Sequence, residues 1–403
     1  MKLVIQKQNK TEVKALKEYE FQRVKEAILS KYIGYQQFPR LNELFRFKIP
    51  YGIIIIYKKN RIQHSKDSWY EIRALSNLAN YLNISFYHQQ KLKDNNGQIT
   101  EIDGLDVSTK SIMIEVKRAK INQNWINFYE NKRKKLNLKE CYLIAPYFEK
   151  DLIFPKNINS YKLTPDFNPL IEYYSNRFYF PNWLKSYIHS RHIRFFLNNG
   201  KWSGLKRQLT KTAKHTPESK LRLIFNSYAK KGKFPIKIYY SLAHMLSPVE
   251  EYYGKGRPLS RIIVAFDVDS DPHNHIIGRD GFCLDCLKNS SLKAKIISEK
   301  LDEMGKTFIR LYSGKKGFHF YILNNANNIA EELSEKELNI LLSCFKIEDN
   351  SNLIDNINFR AKDGTFDILR IFKLPNTVDG TTGIIVKKEF EKLTFHDKLE
   401  RIH

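Results

Sequence analysis

One run constrains this chain more than any other: Arg261-Ile-Ile-Val-Ala-Phe-Asp-Val-Asp-Ser-Asp271. Its apolar, β-branched front reads as a buried strand. Side chains two apart on a strand share a face, so the carboxylates of Asp267 and Asp269 converge, with Asp271 two positions on. Like charges that close are unfavourable unless a cation sits between them. The pattern therefore specifies a strand and, at its end, a place for divalent ions. The alternative for the pair taken alone is a polar strand end entering a loop.

Composition narrows what such a site would act on. The chain has 403 residues, of which 42% are apolar, enough for two or three domains with sizeable cores. Lys and Arg number 68 against 43 Asp and Glu, a net charge of +25. That balance attracts polyanions, and nucleic acid is the leading partner. An anionic membrane is the rival, but no apolar run approaches the roughly 18 residues of a spanning helix. The longest conspicuous one, Tyr51–Tyr57, has strand length. The segment Met1-Lys-Leu-Val-Ile-Gln-Lys7 lacks the apolar core of a signal peptide. Four cysteines make no disulfide framework, and Cys283 and Cys286 form a CxxC that suggests metal. These features describe a soluble, cytoplasmic, multidomain protein with no membrane partner.

Residues 1–155 read as an α/β module. A helix is expected from Glu12 to Leu29, a buried strand at 51–57, and a helix bearing Ile72, Leu75, Leu78, Ala79 and Leu82. Ile99–Val107 and Ser111–Val116 should form a hairpin, and Cys141–Ala145 a further strand. Prolines 155, 165, 169 and 181 mark a candidate boundary. Beyond it, a helix is expected at Trp183–Leu197 and another at Ser290–Met304. Strands are expected at 235–248, 261–268, 307–313, 318–323 and 366–374. Basic runs at Lys117–Lys120, Lys132–Lys135 and Lys230–Lys233 read singly as solvated faces, but their phosphate neutralisation would add.

Two more clusters join the carboxylate pair. Leu311-Tyr-Ser-Gly-Lys-Lys-Gly-Phe-His-Phe-Tyr-Ile322 is a strand, a glycine turn with two lysines, and a strand carrying His319. Its backbone NH groups, Ser313 and the lysines suit a triphosphate; its plainer reading is a hairpin with a basic tip. Phe366-Asp-Ile-Leu-Arg-Ile-Phe-Lys-Leu-Pro375, followed by a turn ending in Thr382-Gly383, offers an acid, then bases, then a turn.

Together and in this order they resemble the archaeo-eukaryotic primase superfamily, specifically its small catalytic subunit. That family carries hhhDhD, then SGxxGxH, then DxxRhhRhP with a turn ending TG. The matching residues here are Val264–Asp269, Ser313–His319 and Asp367–Pro375, with Pro235–Pro248 similar to the family's preceding segment. The resemblance covers about residues 165–403. It implies a primase that makes short primers on a single-stranded DNA template from nucleoside triphosphates, with two Mg²⁺ or Mn²⁺ ions. Asp267 and Asp269 would hold the ions. Ser313, Lys315, Lys316, His319, Arg370 and Lys373 would meet the nucleotide. The third metal carboxylate stays open between Asp363 and Asp367, since the position that matches the family's acid is Ala361; a short deletion favours Asp363. The family usually has His where this chain has Asp379. A primase-polymerase of repair or of a mobile element, with deoxynucleotide preference, is the alternative. No cluster of four cysteines suggests an iron–sulfur domain, so a primase large subunit, other replication proteins or the first segment would supply that part.

Between the first two motifs lie His273-Asn-His275 and, seven residues on, Cys283-Leu-Asp-Cys286. These supply four N/S ligands, enough for a closed structural Zn²⁺ site. Small primase subunits carry zinc at this place. Cys141 and Cys344 read as ordinary buried thiols.

In the first module, Glu101-Ile-Asp103-Gly-Leu-Asp106 precedes Ile114-Glu115-Val-Lys117. A hairpin would bring Asp103 near Glu115, with Lys117 on the same face as Glu115. This resembles the PD-(D/E)xK nuclease core, whose acids bind Mg²⁺ and whose lysine activates water. Glu71 matches a further acid found there. A charged hairpin of a DNA-binding module is the plainer reading. A nuclease whose primase-type fold only binds nucleic acid is the remaining option.

Overall fold

A computed structural model of the chain describes residues 2–7, 10–15, 17, 20–31, 35–37, 43–57, 68–204, 216–245, 258–262, 264–270, 273–325, 328–329, 356–358 and 371–402. The architecture is mixed α/β. Among the described residues no helix is long and apolar enough to cross a membrane.

The first residues build a sheet of their own. Strands β1 (Lys2–Lys7), β2 (Lys10–Ala15), β3 (Tyr35–Gln37), β4 (Glu43–Ile49) and β5 (Gly52–Tyr57) lie in the order β2-β1-β5-β4-β3. The isoleucine run is the buried central strand expected of it. Ile54 and Ile56 meet Phe45, Phe47 and Ile28, the last on helix α1 (Phe21–Lys31). The helix expected from Glu12 starts only at Phe21. Residues 12–15 instead pair rung by rung with β1, and since Val13 is exposed it is this backbone pairing, not a buried apolar face, that makes them a strand.

Helix α2 (Ser68–Leu82) opens the second unit, followed by β6 (Phe86–Lys93), β7 (Ile99–Asp106), β8 (Ile112–Val116), α3 (Gln123–Lys135), β9 (Glu140–Ala145) and β10 (Ile158–Thr164). Strands β6, β7 and β8 form an antiparallel meander, and β8, β9 and β10 run parallel. Helix α2 buries Ile72, Leu75, Leu78 and Ala79 on one face of this sheet. On the other face, Ile126 and Tyr129 of α3 join Met113, Cys141 and Leu143. A Cβ on Gly104 would lie 2.6 Å from Leu75 Cδ2 and 3.1 Å from Ile114 Cβ, so a larger residue there would force the Leu75 side chain of α2 to shift. Two edge strands arrive from far along the chain. Ile276–Ile277 pairs with β6, and Lys398–Arg401 pairs with β10. The sheet thus takes strands from both sides of the expected 1–155 and 165–403 division. The proline-bearing stretch around 150–181 contains β10 and a helical segment at 168–177.

Next come β11 (Ile193–Leu197), β12 (Trp202–Gly204), α4 (Pro217–Ala229) and β13 (Pro235–Ser241). The helix expected at Trp183–Leu197 is helical only at Asn182–Lys185 and Ile188–Ser190. Its end is strand β11, whose Ile193, Phe195 and Leu197 alternate into the core.

The acidic run is β14 (Ala265–Asp269), followed by α5 (Leu284–Glu303), β15 (Phe308–Tyr312) and β16 (Gly317–Asn325). The sheet order is β15-β16-β14, with Asn356–Asn358 beyond β14. Helix α5 covers one face, where Ala294, Ile297 and Leu301 pack on Val264, Phe266 and Val268. Strand β17 (Ile371–Lys373) then completes the earlier sheet as β12-β11-β13-β17. One core joins the two sheets through Phe195, Tyr240, Ala265, Tyr321 and Phe372.

Candidate functional site

With Phe266 and Val268 turned toward α5, Asp267 and Asp269 share the opposite face of β14, as the spacing requires. Strand β16 lies antiparallel beside them, with His319 opposite Asp267 and Gly317 opposite Asp269. The first two motifs are therefore cross-strand neighbours. His319 Nε2 stands 3.7 Å from Asp267 Oδ1. The buried imidazole stacks on Phe372 of β17, centroid to centroid 4.4 Å. A Cβ on Gly317 would lie 2.4 Å from Asp269 Oδ1, so glycine is what leaves room for that carboxylate. Lys316 Nζ lies 2.5 Å from Asp269 Oδ2. Two same-face carboxylates, one already holding an ammonium, form a donor set that suits a hard divalent cation.

The turn between β15 and β16 is closed by Ser313 NH donating to Gly317 O at 2.8 Å. Lys373 reaches it from β17, donating to Ser313 O at 2.6 Å and to Asp379 Oδ2 at 2.6 Å. Lys237 of β13 stands 3.5 Å from the same Asp379 oxygen. Burial alone would raise the Asp379 carboxyl, but Lys237, Lys373 and Lys315 outweigh it and hold it well below the usual carboxylate range. Burial, with Lys237 beside it, pulls the Lys315 ammonium down to about 8. Burial also pushes the Tyr239 phenol up to about 12, with Lys373 opposing and Asp379 and Asp267 adding to the rise. Lys237 is the member of this cradle that the motifs do not single out, and Asp379, which stands where the resembled family usually has His, is buried. The signal for Lys237 is its strand parity with Tyr239, across from Lys373. Asp363, Asp367 and Arg370, with Ala361, lie outside the described residues, as do Asp271 and Cys344.

The four proposed zinc ligands come together. His273 Nε2 lies 3.3 Å from Cys283 Sγ and 3.5 Å from Cys286 Sγ, and His275 Nδ1 lies 3.2 Å from Cys286 Sγ. All four ligand atoms fall within 4.8 Å of one another, and among the described residues theirs is the cluster of at least three such groups able to hold a metal ion. Tetrahedral zinc with bonds of about 2.0–2.3 Å needs ligand atoms about 3.6 Å apart, so the set fits. Cys283 caps α5 and Cys286 sits in its first turn. Hydrogen bonds from Cys286 and the two imidazoles favour a thiolate at Cys283. His275 O accepts from His88 NH of β6 at 2.8 Å, fastening the cluster to the second sheet. A cavity of about 30 Å³ between them is lined by Ile72, His88, His275, Cys286, Lys315 and Lys316.

The hairpin of β7 and β8 also forms as expected, pairing Gly104 with Ile114. Lys117 Nζ lies 3.0 Å from Asp103 Oδ2 and 3.3 Å from Glu115 Oε2. Lys132 of α3 binds the other Glu115 oxygen. Burial raises the Glu115 carboxyl and Asp103 adds to the rise, against Lys117 and Lys132. Burial opposes charge on Lys117, yet Asp103 and Glu115 hold its ammonium well above the ordinary value. Glu71 stands elsewhere, 3.4 Å from His88 Nε2 and 3.2 Å from Gln89 Nε2. Asp106 is a turn residue that accepts from the backbone NH groups of residues 109–112. The basic run at 132–135 is partly internal, since Arg133 forks onto Glu130.

No protein-family model matches this chain, and no curated protein does. Among solved structures it is similar to the polymerase domain of Mycobacterium tuberculosis Ligase D in complex with DNA. The match has 14% identity and a TM-score of 0.30, and covers 54% of this chain and 78% of that one.

Proposed function

We propose that the region from about residue 165 onward is a primase-type nucleotidyltransferase that joins nucleotides on a single-stranded DNA template. The observation that carries this reading is the register of β14 against β16, which seats the Asp267 and Asp269 pair directly against His319 and Gly317. Lys373 meets the same turn from β17.

In this reading Asp267 and Asp269 hold Mg²⁺ or Mn²⁺, which would activate the attacking 3′-hydroxyl and stabilise the leaving pyrophosphate. The chain's own residues do the positioning. Lys315, Lys316, Lys373 and the backbone NH groups of the 313–317 turn receive the triphosphate. Ser313 and His319 set its orientation, and Asp363 or Asp367 supplies a third carboxylate. Arg370 adds a further cation. Zn²⁺ on His273, His275, Cys283 and Cys286 would be structural. A primase-polymerase with deoxynucleotide preference uses the same residues.

The deciding experiment incubates the full chain with circular single-stranded DNA, Mg²⁺ or Mn²⁺ and labelled ribo- or deoxynucleotides, and sizes the products. Template-dependent product is expected from one nucleotide class or both. Asp267→Asn with Asp269→Asn should abolish it while the protein stays folded, because a charged ligand is lost at each position. Near-normal synthesis by that double variant would sink the reading.

A second activity is proposed for the first module, on the convergence of Asp103, Glu115 and Lys117: Mg²⁺-dependent DNA cleavage. If that fails, the module is a template-binding arm.

A further inference from the structure

The half-buried face of the sheet β12-β11-β13-β17 carries, beside the Lys373 already assigned to the triphosphate, a pattern of rings and cations that none of the roles above uses. Register puts Trp202 and Lys237 on either side of Phe196, and Arg194 and Lys373 on either side of Tyr239. The intervening Ile193, Phe195, Ile238, Tyr240 and Phe372 are buried in the core. Trp202, Phe196, Arg194, Lys237, Tyr239 and Lys373 therefore share the other face. Trp202 is 40% exposed. Its ring centroid lies 5.3 Å from Phe196 and 5.4 Å from Tyr239, and the Arg194 guanidinium is 5.1 Å from it. At the far end, Lys237 and Lys373 meet at Asp379, beside the 313–317 turn.

Rings interleaved with cations leading into a phosphate cradle are matched by one polymer chemistry. Bases stack on aromatic faces in any sequence, and backbone phosphates meet the cations between them. A duplex hides its base faces and could not use the rings. A protein partner is disfavoured by three cations on the face of a chain whose net charge is +25. We propose that this face carries single-stranded nucleic acid, with one base stacked on Trp202, a flanking phosphate on Arg194, and the strand running toward Lys237 and Lys373. The proposal rests on the nucleotidyl-transfer reading for the strand's role as template or primer.

The test uses the full chain and fluorescence anisotropy with labelled oligo(dT) and an abasic oligomer of equal length. Trp202→Ala should weaken oligo(dT) binding about tenfold, the order expected for one stacked base, and leave abasic binding unchanged. Trp202→Leu keeps the apolar bulk without the π face and should behave the same way, so it decides the matter if the alanine variant does not fold. Arg194→Gln should weaken both ligands and reduce the salt slope by about one. Oligo(dT) binding by a folded Trp202 variant within twofold of wild type, or equal losses for both ligands, overturns the proposal. If wild-type protein makes no polymer yet the Trp202 variants lose base-dependent binding, the transfer reading falls and this surface stands. If it makes polymer and they bind normally, the reverse holds.

Discussion

Arg73 and Asp397 lie 324 positions apart and meet as a buried ion pair, Nε to Oδ2 2.6 Å, with a second contact from Nη2 to Oδ1. Both side chains are almost completely inaccessible. Arg73 also donates to Asp166 O at 2.9 Å and stacks over Phe395, while Asp397 accepts from Asp166 NH at 2.8 Å. The pair ties α2 to the segment that leads into the last strand. Removing one partner leaves a buried charge uncompensated, which costs about 3–5 kcal/mol. Arg73→Met and Asp397→Asn should each lower the unfolding free energy by about that amount in urea titrations. The double variant Arg73→Met with Asp397→Asn should lose less than the sum of the two single losses. Additive losses would show that the two do not act as a pair.

If Lys315 receives the triphosphate as proposed, nucleotide use should depend on pH. Its ammonium sits at about 8, held down by burial and by Lys237. Triphosphate binding needs the charged form, so the KM for nucleotide should rise as pH passes upward through about 8. Lys315→Arg should flatten that rise, because a guanidinium stays charged. For stability the sign is opposite. The folded value lies below the unfolded one of about 10.4, so the folded state binds fewer protons between the two. This group therefore makes stability increase with pH across that window and adds a constant penalty below it. A KM that is flat from pH 7 to 9 in wild type would remove Lys315 from the triphosphate.

Purified protein should contain one equivalent of zinc by elemental analysis, and Cys283→Ser with Cys286→Ser should remove it. Two neutral imidazoles without thiolates hold the ion weakly. Because His275 O accepts from His88 NH and Ile276–Ile277 pairs with β6, amide exchange should speed up at residues 86–88 in the variant. Zinc-free wild-type protein would refute the site.

Glu115→Ala tests the first module. If the hairpin is a nuclease, the variant should lose Mg²⁺-dependent cleavage of DNA and keep primer synthesis. Glu115 also neutralises Lys117 and Lys132, so the melting temperature should fall as well. Glu115→Gln, which keeps the shape, separates the two effects. Wild-type protein that cuts no DNA with Mg²⁺ or Mn²⁺ ends the nuclease reading. Deleting residues 1–57 should then serve as the binding test, since their sheet is assembled from within that span.

What was legible in the sequence was what local periodicity encodes. The DxD parity, the 311–322 hairpin, the Asp103–Glu115 approach and the His/Cys spacing each depend on residues close in sequence, and each has its counterpart in the fold. Residues 193–197 carry their alternation into the core, whereas 12–15 are a strand through pairing with β1 and bear an exposed Val13, so no local apolar pattern marks them. Other features had no local signal. A two-residue strand such as Ile276–Ile277 has no period to detect. The meeting of Lys237, Lys373 and Asp379 depends on how β13 registers with β17, and the Arg73–Asp397 pair on the packing of segments at opposite ends of the chain.

The strand Lys398–Arg401 sets an order of events during synthesis. Arg401 reaches Asn159 across 242 positions, so β10 emerges from the ribosome long before the strand that covers its edge. Until then its outer row of backbone groups stands open, a template for pairing with another chain. Contacts this remote form slowly because a long loop must close first. A nascent chain stalled short of residue 398 should be more prone to aggregate than one extended past residue 401.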